Sequence, residues 1–279
     1  MIADWPPFIL GVAPNGARKT KADHPALPLT ADEIARDAAA CRAAGAALIH
    51  LHIRDKSGKH LLDAEAFRAA TAAIRREAGD DLIVQITTES VGIYLPGYQM
   101  AMVREARPEA CSVAIREIVP GPPAEREAAA FFAWMAREGV MAQYILYTAD
   151  EVRRFADLRQ RGIVPDTAPF VLYVLGRYSA NQTSDPLDLA PFLAAAPRDW
   201  HWAACAFGAK EGAVALTAAV LGGHSRVGFE NNLRLGDGSV APGNAALVEQ
   251  ARRHAEAIGR KAADGAAARA LLAAPPPGR

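Results

Sequence analysis

The chain alternates short apolar runs, rich in β-branched and aromatic residues, with longer alanine-rich stretches of helical period. The apolar runs are FILGVAP (8–14), ALIHLHIR (47–54), LIVQITT (82–88), ACSVAI (110–115), AQYILY (142–147), FVLYVLG (170–176), WAACAF (202–207) and RVGFEN (226–231). Each is brief and bounded by Gly, Pro or polar residues, the pattern of strands buried on both faces of a parallel sheet. Thr30-Ala-Asp-Glu33 reads as a capping box, with Ile34, Ala38 and Cys41 following at helical spacing and Gly45 placed to end the helix in the left-handed region. Further helices are expected over 64–78, 124–138, 149–161, 186–195, 209–222 and 244–258, with a short one after Gly265 that ends in a frayed PPPGR tail. The segment 95–105 carries no clear period.

Eight β/α units predict a (β/α)8 TIM barrel, a single α/β domain over 1–279 with a short C-terminal helical tail. The main rival is a doubly wound open sheet, but no Gly-x-Gly-x-x-Gly follows the first strand. No low-complexity linker or charge block marks a second domain.

Composition narrows the partners. With 51% hydrophobic and 22% charged residues, the 279-residue chain is an ordinary globular sequence. Lys+Arg and Asp+Glu both number 31, and a nucleic-acid binder carries a basic excess, so small metabolites are the expected partners. Cys41, Cys111 and Cys205 are too few and scattered for a disulfide scaffold or thiolate metal site, and suit a reducing compartment. The opening MIADWPPFILGVAP lacks a cationic leader, and the apolar stretch 213–221 is too short to cross a bilayer. A cytoplasmic protein away from membranes is expected.

His50-Leu51-His52 is the sharpest chemical feature. On a strand, residues two apart project to the same side, so both imidazoles point together from an apolar run. A shared divalent metal explains such a pair; two hydrogen-bonded core histidines would explain it equally well. Glu230, in RVGFEN, shares a face with Arg226 and Gly228 by the two-residue period. It offers a third ligand, or an ion pair with Arg226. The remaining candidates are weaker. Thr87 and Thr88 close the third strand where hydroxyls can meet a substrate carboxylate. Asn15-Gly16 follows the first strand. Arg18-Lys19-Thr20-Lys21 reads first as a solvated loop. Gly208 precedes a helix whose start could receive an anion. His24, His60 and His254 read as surface residues, His201 as bordering the seventh strand, and His224 as structural.

These residues carry a resemblance. GVAPNGARKTKADHPALPLTADEIA (11–35), IHLHIRD (49–55), RPEACSV (107–113), a Gly-x-x-x-Gly stretch at 208–212 and LGGHSRVGFENN (221–232) resemble, in order over most of the chain, the β-keto acid cleavage enzymes, such as the 3-keto-5-aminohexanoate cleavage enzymes. The resemblance implies a TIM barrel, usually a homotetramer, holding Zn2+ or another divalent metal through His50, His52 and Glu230. It implies that a β-keto acid and the CoA ester acetyl-CoA give acetoacetate and an acyl-CoA. Arg226 would stabilise negative charge, and Thr87 and Ser112 would lie with the substrate-binding residues Asn15, Arg18 and Thr88.

The departures from that family bear on substrate and proton transfer. Asn231 stands where an aspartate deprotonates the substrate, and an amide cannot act as that base. Ala142-Gln143-Tyr144-Ile145 replaces Pro-Glu-x-Glu. Arg18 replaces an acid, and Glu89-Ser90 replaces glycines. Loss of acids that would meet an ammonium disfavours a β-keto amino acid, while Arg18 favours a neutral or anionic tail. Glu89 is the candidate replacement base, against a plain solvated loop glutamate. Two other functions compete: a metal-dependent hydrolase, although such barrels carry His-x-His on strand one and histidines on strands five and six, and a catalytically silent barrel that binds metal and keto acid.

Overall fold

The computed structural model describes residues 5–165 and 168–276. The first four residues of the opening and the last three of the PPPGR ending lie outside them. Eight parallel strands close into a barrel: β1 (Leu10–Val12), β2 (Leu48–Leu51), β3 (Ile83–Ile86), β4 (Ala110–Ala114), β5 (Met141–Leu146), β6 (Phe170–Leu175), β7 (His201–Ala206) and β8 (His224–Val227). Each pairs with its neighbours in sequence. β8 returns to β1 in the register Leu10↔Ser225, Gly11↔Arg226 and Val12↔Val227. This is the expected TIM barrel.

The outer shell comprises α1 (Ala31–Ala44), α2 (Ala64–Ala78), α3 (Pro96–Ala106), α4 (Ile115–Ile118), α5 (Glu125–Arg137), α6 (Ala149–Gln160), α7 (Ala190–Ala195), α8 (Glu211–Val220), α9 (Asn244–Ala257) and α10 (Gly265–Ala273). The capping box at α1 forms in both directions, and Gly45 ends that helix at φ 112°. Among the described residues no helix is long and apolar enough to cross a membrane.

The two-residue period sorts the strands into two buried surfaces. Outward residues such as Val12, Ile49, Val84, Val113, Tyr144, Val171 and Ala204 join the large core shared with the helices. Inward residues form two separate clusters. One, around Ile9, Leu48, Ile83 and Ala110, is capped by Ala263, Ala268, Leu271 and Leu272 of the C-terminal segment, so α10 plugs the barrel's N-terminal end. The other joins Leu172, Val174, Ala203, Cys205 and Phe207 inside the wall of β6 and β7. The barrel interior also holds a buried polar layer of His50, Gln85, Ser112, Gln143 and Arg226, in which His50 pairs in register with Gln85 and Ser112 with Gln143.

Several local expectations shift. The run 226–231 is not a strand to its end: β8 is His224–Val227, and Gly228 at φ +135° turns the chain. A Cβ at Gly228 would lie 2.5 Å from the Ala13 carbonyl oxygen, so only glycine lets the turn pass so close to β1. His52 lies in a one-residue break between β2 and a small antiparallel ribbon, Ile53–Arg54 against His60–Leu61. Strong burial on both sides of the break made the whole run look like one strand. Thr87 and Thr88 follow β3 directly, and Ile115 already starts α4. The unclear segment is α3, which has Pro96 in its first turn. The helix expected at 186–195 divides into a 3-10 turn (Pro186–Leu189) and α7.

His24 and His60 are buried, contrary to their expected surface positions. His24 Nε2 lies 2.9 Å from the Ala241 carbonyl, and His60 Nε2 lies 2.8 Å from the Glu89 carbonyl. His254 is half-buried. His224 is structural, as expected: its Nδ1 accepts from the Ile9 N–H.

Candidate metal centre and substrate pocket

The C-terminal ends of β2 and β8 lie on either side of β1, which brings His50 and His52 to Glu230 across the barrel's closing seam. Gly16, in the loop after β1, makes room. At φ +58° a Cβ there would sit 2.6 Å from Glu230 Cγ. Three electron-rich atoms converge: His50 Nε2 and His52 Nε2 are 3.0 Å apart, and Glu230 Oε2 is 3.4 Å from His52 Nε2 and 3.7 Å from His50 Nε2. Ligands placed tetrahedrally about Zn2+ at its usual bond lengths are separated by roughly 3.3 Å, close to each edge of this triangle.

The protonation pattern suits a cation. Gln85 Nε2 donates to Gln143 Oε1 at 3.2 Å, which turns Gln85 Oε1 toward His50 Nδ1 at 2.9 Å. Nδ1 therefore carries the hydrogen, and the Nε2 lone pair faces Glu230. Burial first, and the nearby Arg226 charge second, push His50 well below the ordinary histidine pKa, keeping it neutral. Burial alone would raise the Glu230 pKa, but Arg226 and the two histidines hold it well below the usual carboxylate range. Glu230 Oε1 accepts from Arg226 Nη2 at 3.0 Å, while the buried Oε2 has no hydrogen-bond donor. A proton on one imidazole would satisfy one contact of the triangle. A divalent cation satisfies all three, and His50, His52 and Glu230 fit it. The ion pair with Arg226 thus occupies one oxygen of Glu230 and leaves the other available as a ligand atom.

Arg226 is 4% exposed and always charged. Its Nη2 also meets Cys205 Sγ at 3.6 Å, whereas its Nε and Nη1 are buried without an acceptor. They lie beside an inner pocket of about 30 Å3 whose polar side is formed by His50, His52, Thr87, Thr88, Glu89, Ser112, Arg226 and Glu230. Ala114, Ile145, Tyr147, Val174, Arg177 and Phe207 complete it. A wider outer pocket at the mouth is lined by Asn15, Gly16, Arg18, Lys19, Arg177 and Gln182, among others. Asn15, Arg18, Thr87, Thr88, Glu89 and Ser112 therefore all line one of the two pockets.

Their hydrogen bonds limit what each can offer. Asn15 Nδ2 donates to the Pro28 and His52 carbonyls, leaving its Oδ1 open. Thr88 Oγ1 donates to the Ser112 carbonyl, while Thr87 Oγ1 accepts from the Glu89 N–H and keeps its own hydrogen. Glu89 is no solvated loop residue. Its Oε1 lies 2.8 Å from Arg18 Nη1 and 3.5 Å from Arg177 Nη2, and its Oε2 lies 4.0 Å from His52 Nδ1. Burial works to raise its pKa, but His52 and Arg18 outweigh that and lower it. Asn231 is buried with both amide atoms unpaired.

Other contributors escaped the sequence reading. Lys19 is not a solvated loop lysine: its Nζ donates to the Glu230 carbonyl at 2.6 Å, and burial lowers its pKa against the pull of Glu230. Arg54 ties down the loop after β1 by donating to the Gly16 and Lys19 carbonyls. Glu211, the first residue of α8, accepts from the Gly228 N–H at 3.0 Å and Asn232 Nδ2 at 3.3 Å, fixing the turn that carries Glu230. The Gly208 N–H donates to the Asn231 carbonyl, so it is not open to an anion. Arg177 and Tyr147 follow directly on β6 and β5, where barrel active sites are built, and that position was the available signal.

On β5 and β6 the inward residues around the pocket are Gln143, Ile145 and Val174, with no histidine, which is not the ligand pattern of the barrel hydrolases. Over residues 7–273 the chain matches the family described as beta-keto acid cleavage enzyme. It is 30% identical over 272 residues to the 3-keto-5-aminohexanoate cleavage enzyme of Fusobacterium nucleatum subsp. nucleatum, covering 95% of this chain and 97% of the relative. It is 29% identical to the 3-oxoadipate:acetyl-CoA acetyltransferase of Cupriavidus necator, covering 96% of this chain and 95% of the relative. Among solved structures, apo ObcA superposes with a TM-score of 0.69 at 17% identity, covering 89% of this chain and 66% of ObcA, so the chain spans about two thirds of that protein. That likeness concerns the barrel alone. A match that runs nearly end to end, on a barrel whose seam gathers two histidines and a glutamate, places the chain within the beta-keto acid cleavage enzyme family.

Proposed function

We propose that this chain transfers the two-carbon carboxylate unit of a β-keto acid to the acetyl group of acetyl-CoA, releasing acetoacetate and leaving the rest of the keto acid as an acyl-CoA. The bookkeeping is closed. C2 of the keto acid gains a bond to the acetyl carbonyl carbon as the CoA thiolate leaves; the thiolate then adds to C3 and the old C2–C3 bond breaks. The C2 proton removed at the outset returns to C2 of acetoacetate. The observation that carries this reading is the buried donor triangle of His50, His52 and Glu230 beside the unpaired N–H groups of Arg226.

A divalent ion held by His50, His52 and Glu230, with Zn2+ the best match to two imidazoles and a carboxylate, would supply Lewis acidity for loss of the C2 proton. Arg226 Nε and Nη1 would donate to the substrate carboxylate and to the charge that develops as the proton leaves. The Thr87 hydroxyl, and that of Ser112, would hold the substrate's head. Glu89 would take up the C2 proton in place of the aspartate that Asn231 has displaced, and Asn231 would offer its amide as a hydrogen-bond donor. Arg18, Lys19 and Arg177 at the mouth would attract the phosphates of CoA. A cytoplasmic site of action suits the three buried free thiols. Ile93, Leu95 and Tyr98, exposed around the start of α3, favour a homo-oligomer, the tetramer being checked by light scattering.

The deciding experiment incubates the zinc-loaded protein with acetyl-CoA and a panel of β-keto acids. Acetoacetate and acyl-CoA should appear in equal amounts. Consumption of keto acid without CoA would assign the chain to hydrolysis instead, and no reaction with any keto acid would favour a binding barrel.

A further inference from the structure

We infer that the substrate's tail, the group beyond the keto carbon, is short, uncharged and apolar. This rests on the proposed reaction and names its substrate class. The inner pocket has two unlike sides. Around the ends of β2, β3 and β8 it is polar. Opposite, Ala114 ends β4, Ile145 and Val174 lie near the ends of β5 and β6, and Phe207 follows β7. Ile145 and Tyr147 pack against the cluster that contains Val174 and Phe207, so this side is an apolar wall, edged by Arg177, whose guanidinium lies over the Phe207 ring and is paired with Glu89. Ile145 is only half-buried, and it lines the pocket.

The charges bordering the pocket stand in oppositely charged pairs, and the remaining N–H groups of Arg226 are left for the substrate's head carboxylate. Glu230 meets Arg226, and Glu89 meets Arg18 and Arg177. Arg18 has a side chain 55% exposed and lies at the mouth, outside the inner lining. A tail carboxylate or ammonium pressed against the wall would lose its water without a counter-ion, which is strongly unfavourable. A tail methylene is favoured there by about fourfold in binding while room lasts. Room is limited, because the pocket, about 30 Å3 in volume, must hold the keto acid's head as well. The sequence left neutral and anionic tails open. The wall decides for the neutral one.

The test compares kcat/KM for β-keto acids of matched length: 3-oxohexanoate, 3-oxoadipate and 5-amino-3-oxohexanoate, each with acetyl-CoA. The propyl-tailed acid should exceed both charged ones by at least about tenfold, and 3-oxohexanoate should exceed 3-oxopentanoate by about fourfold. Equal or better turnover of either charged acid overturns the inference while the cleavage reading stands. Absence of turnover with every acid sinks the cleavage reading. The tail preference is then read from calorimetric binding of butanoate, succinate and 4-aminobutanoate to the zinc-loaded protein, where succinate or 4-aminobutanoate binding as well as butanoate overturns it. Ile145→Glu should shift the preference toward the ammonium tail by at least about tenfold. If that variant does not fold, Ile145→Ala should move the optimum to a longer alkyl tail, and an unchanged optimum counts against the wall.

Discussion

The barrel buries two arginine–histidine clusters, one at each end, and they are built on opposite rules. At the N-terminal end Arg260 is fully buried: its Nε donates to the Pro6 carbonyl and its Nη1 to those of Ala219 and Gly223. Its guanidinium also lies over the Phe8 ring, and the neighbouring His224 and His201 find the Ile9 N–H and the Ala274 carbonyl. Backbone groups close the hydrogen bonds there. At the C-terminal end, by contrast, Arg226 leaves Nε and Nη1 without acceptors and Glu230 leaves Oε2 without a donor, around two facing imidazoles. Unmet bonding capacity inside a protein is costly unless something arrives to meet it. The difference separates a device that locks the barrel's base from one that awaits a ligand, although both have similar residue types.

The sharpest way to break this contrast is to remove the imidazoles. His50→Ala with His52→Ala should lower kcat/KM by at least about 10³-fold, reflecting several kcal/mol of lost Lewis-acid assistance. Bound zinc should fall from about one per chain to none while the fold survives. Equal metal in the double variant would refute the ligand assignment.

Glu89→Gln comes next, expected to reduce kcat by about 10²-fold or more, the usual range for losing a general base. Introducing Asn231→Asp into that variant should restore part of the rate. Unchanged turnover in Glu89→Gln would leave Glu89 as a partner of Arg18 and His52 only.

The opposite end should respond in stability alone. Arg260→Met removes hydrogen bonds to three backbone carbonyls and should lower the unfolding free energy by about 3 kcal/mol in denaturant titration. The kcat/KM of the folded protein should stay as it was, and a parallel loss of activity would erase the distinction between the two clusters.

The last effect is confined to the pH dependence of stability. Burial raises the Glu211 carboxyl to about 8, against hydrogen bonds from Asn232 and Gly228 that pull it down. Between its unfolded pKa near 4.5 and about 8 the folded state holds more protons than the unfolded one. Its contribution is therefore fully present below about 4.5 and is lost as pH rises through about 8. Glu211→Gln should flatten that part of the stability curve, and an unaltered slope would point to another group.

The fold was legible because eight apolar runs separated by helices admit few arrangements, and because the Thr30–Glu33 capping box is purely local. His50 and His52 were legible from spacing, since strand geometry makes i and i+2 neighbours. Glu230 does lie beside the two histidines, but not by the route the strand period suggested. Its face was assigned by extending a strand that in fact ends at Val227, and the turn at Gly228 delivers it instead. Lys19, Glu211, Arg54 and Gln85 stayed invisible because their importance lies in partners far away in the chain. No local pattern reveals that a loop lysine will meet a carbonyl 211 residues later. His24 and His60 show the same limit: a lone histidine has no period to declare it buried.

The seam between β1 and β8 also orders events in time. The two imidazoles stand on and just past the second strand to be synthesised, the carboxylate in the turn after the last. A growing chain thus carries two of the three proposed donors through most of its synthesis and gains the third only as the cylinder can shut. On the proposed reading, tight metal capture would mark a finished molecule, because a chain stalled before Glu230 lacks the third donor.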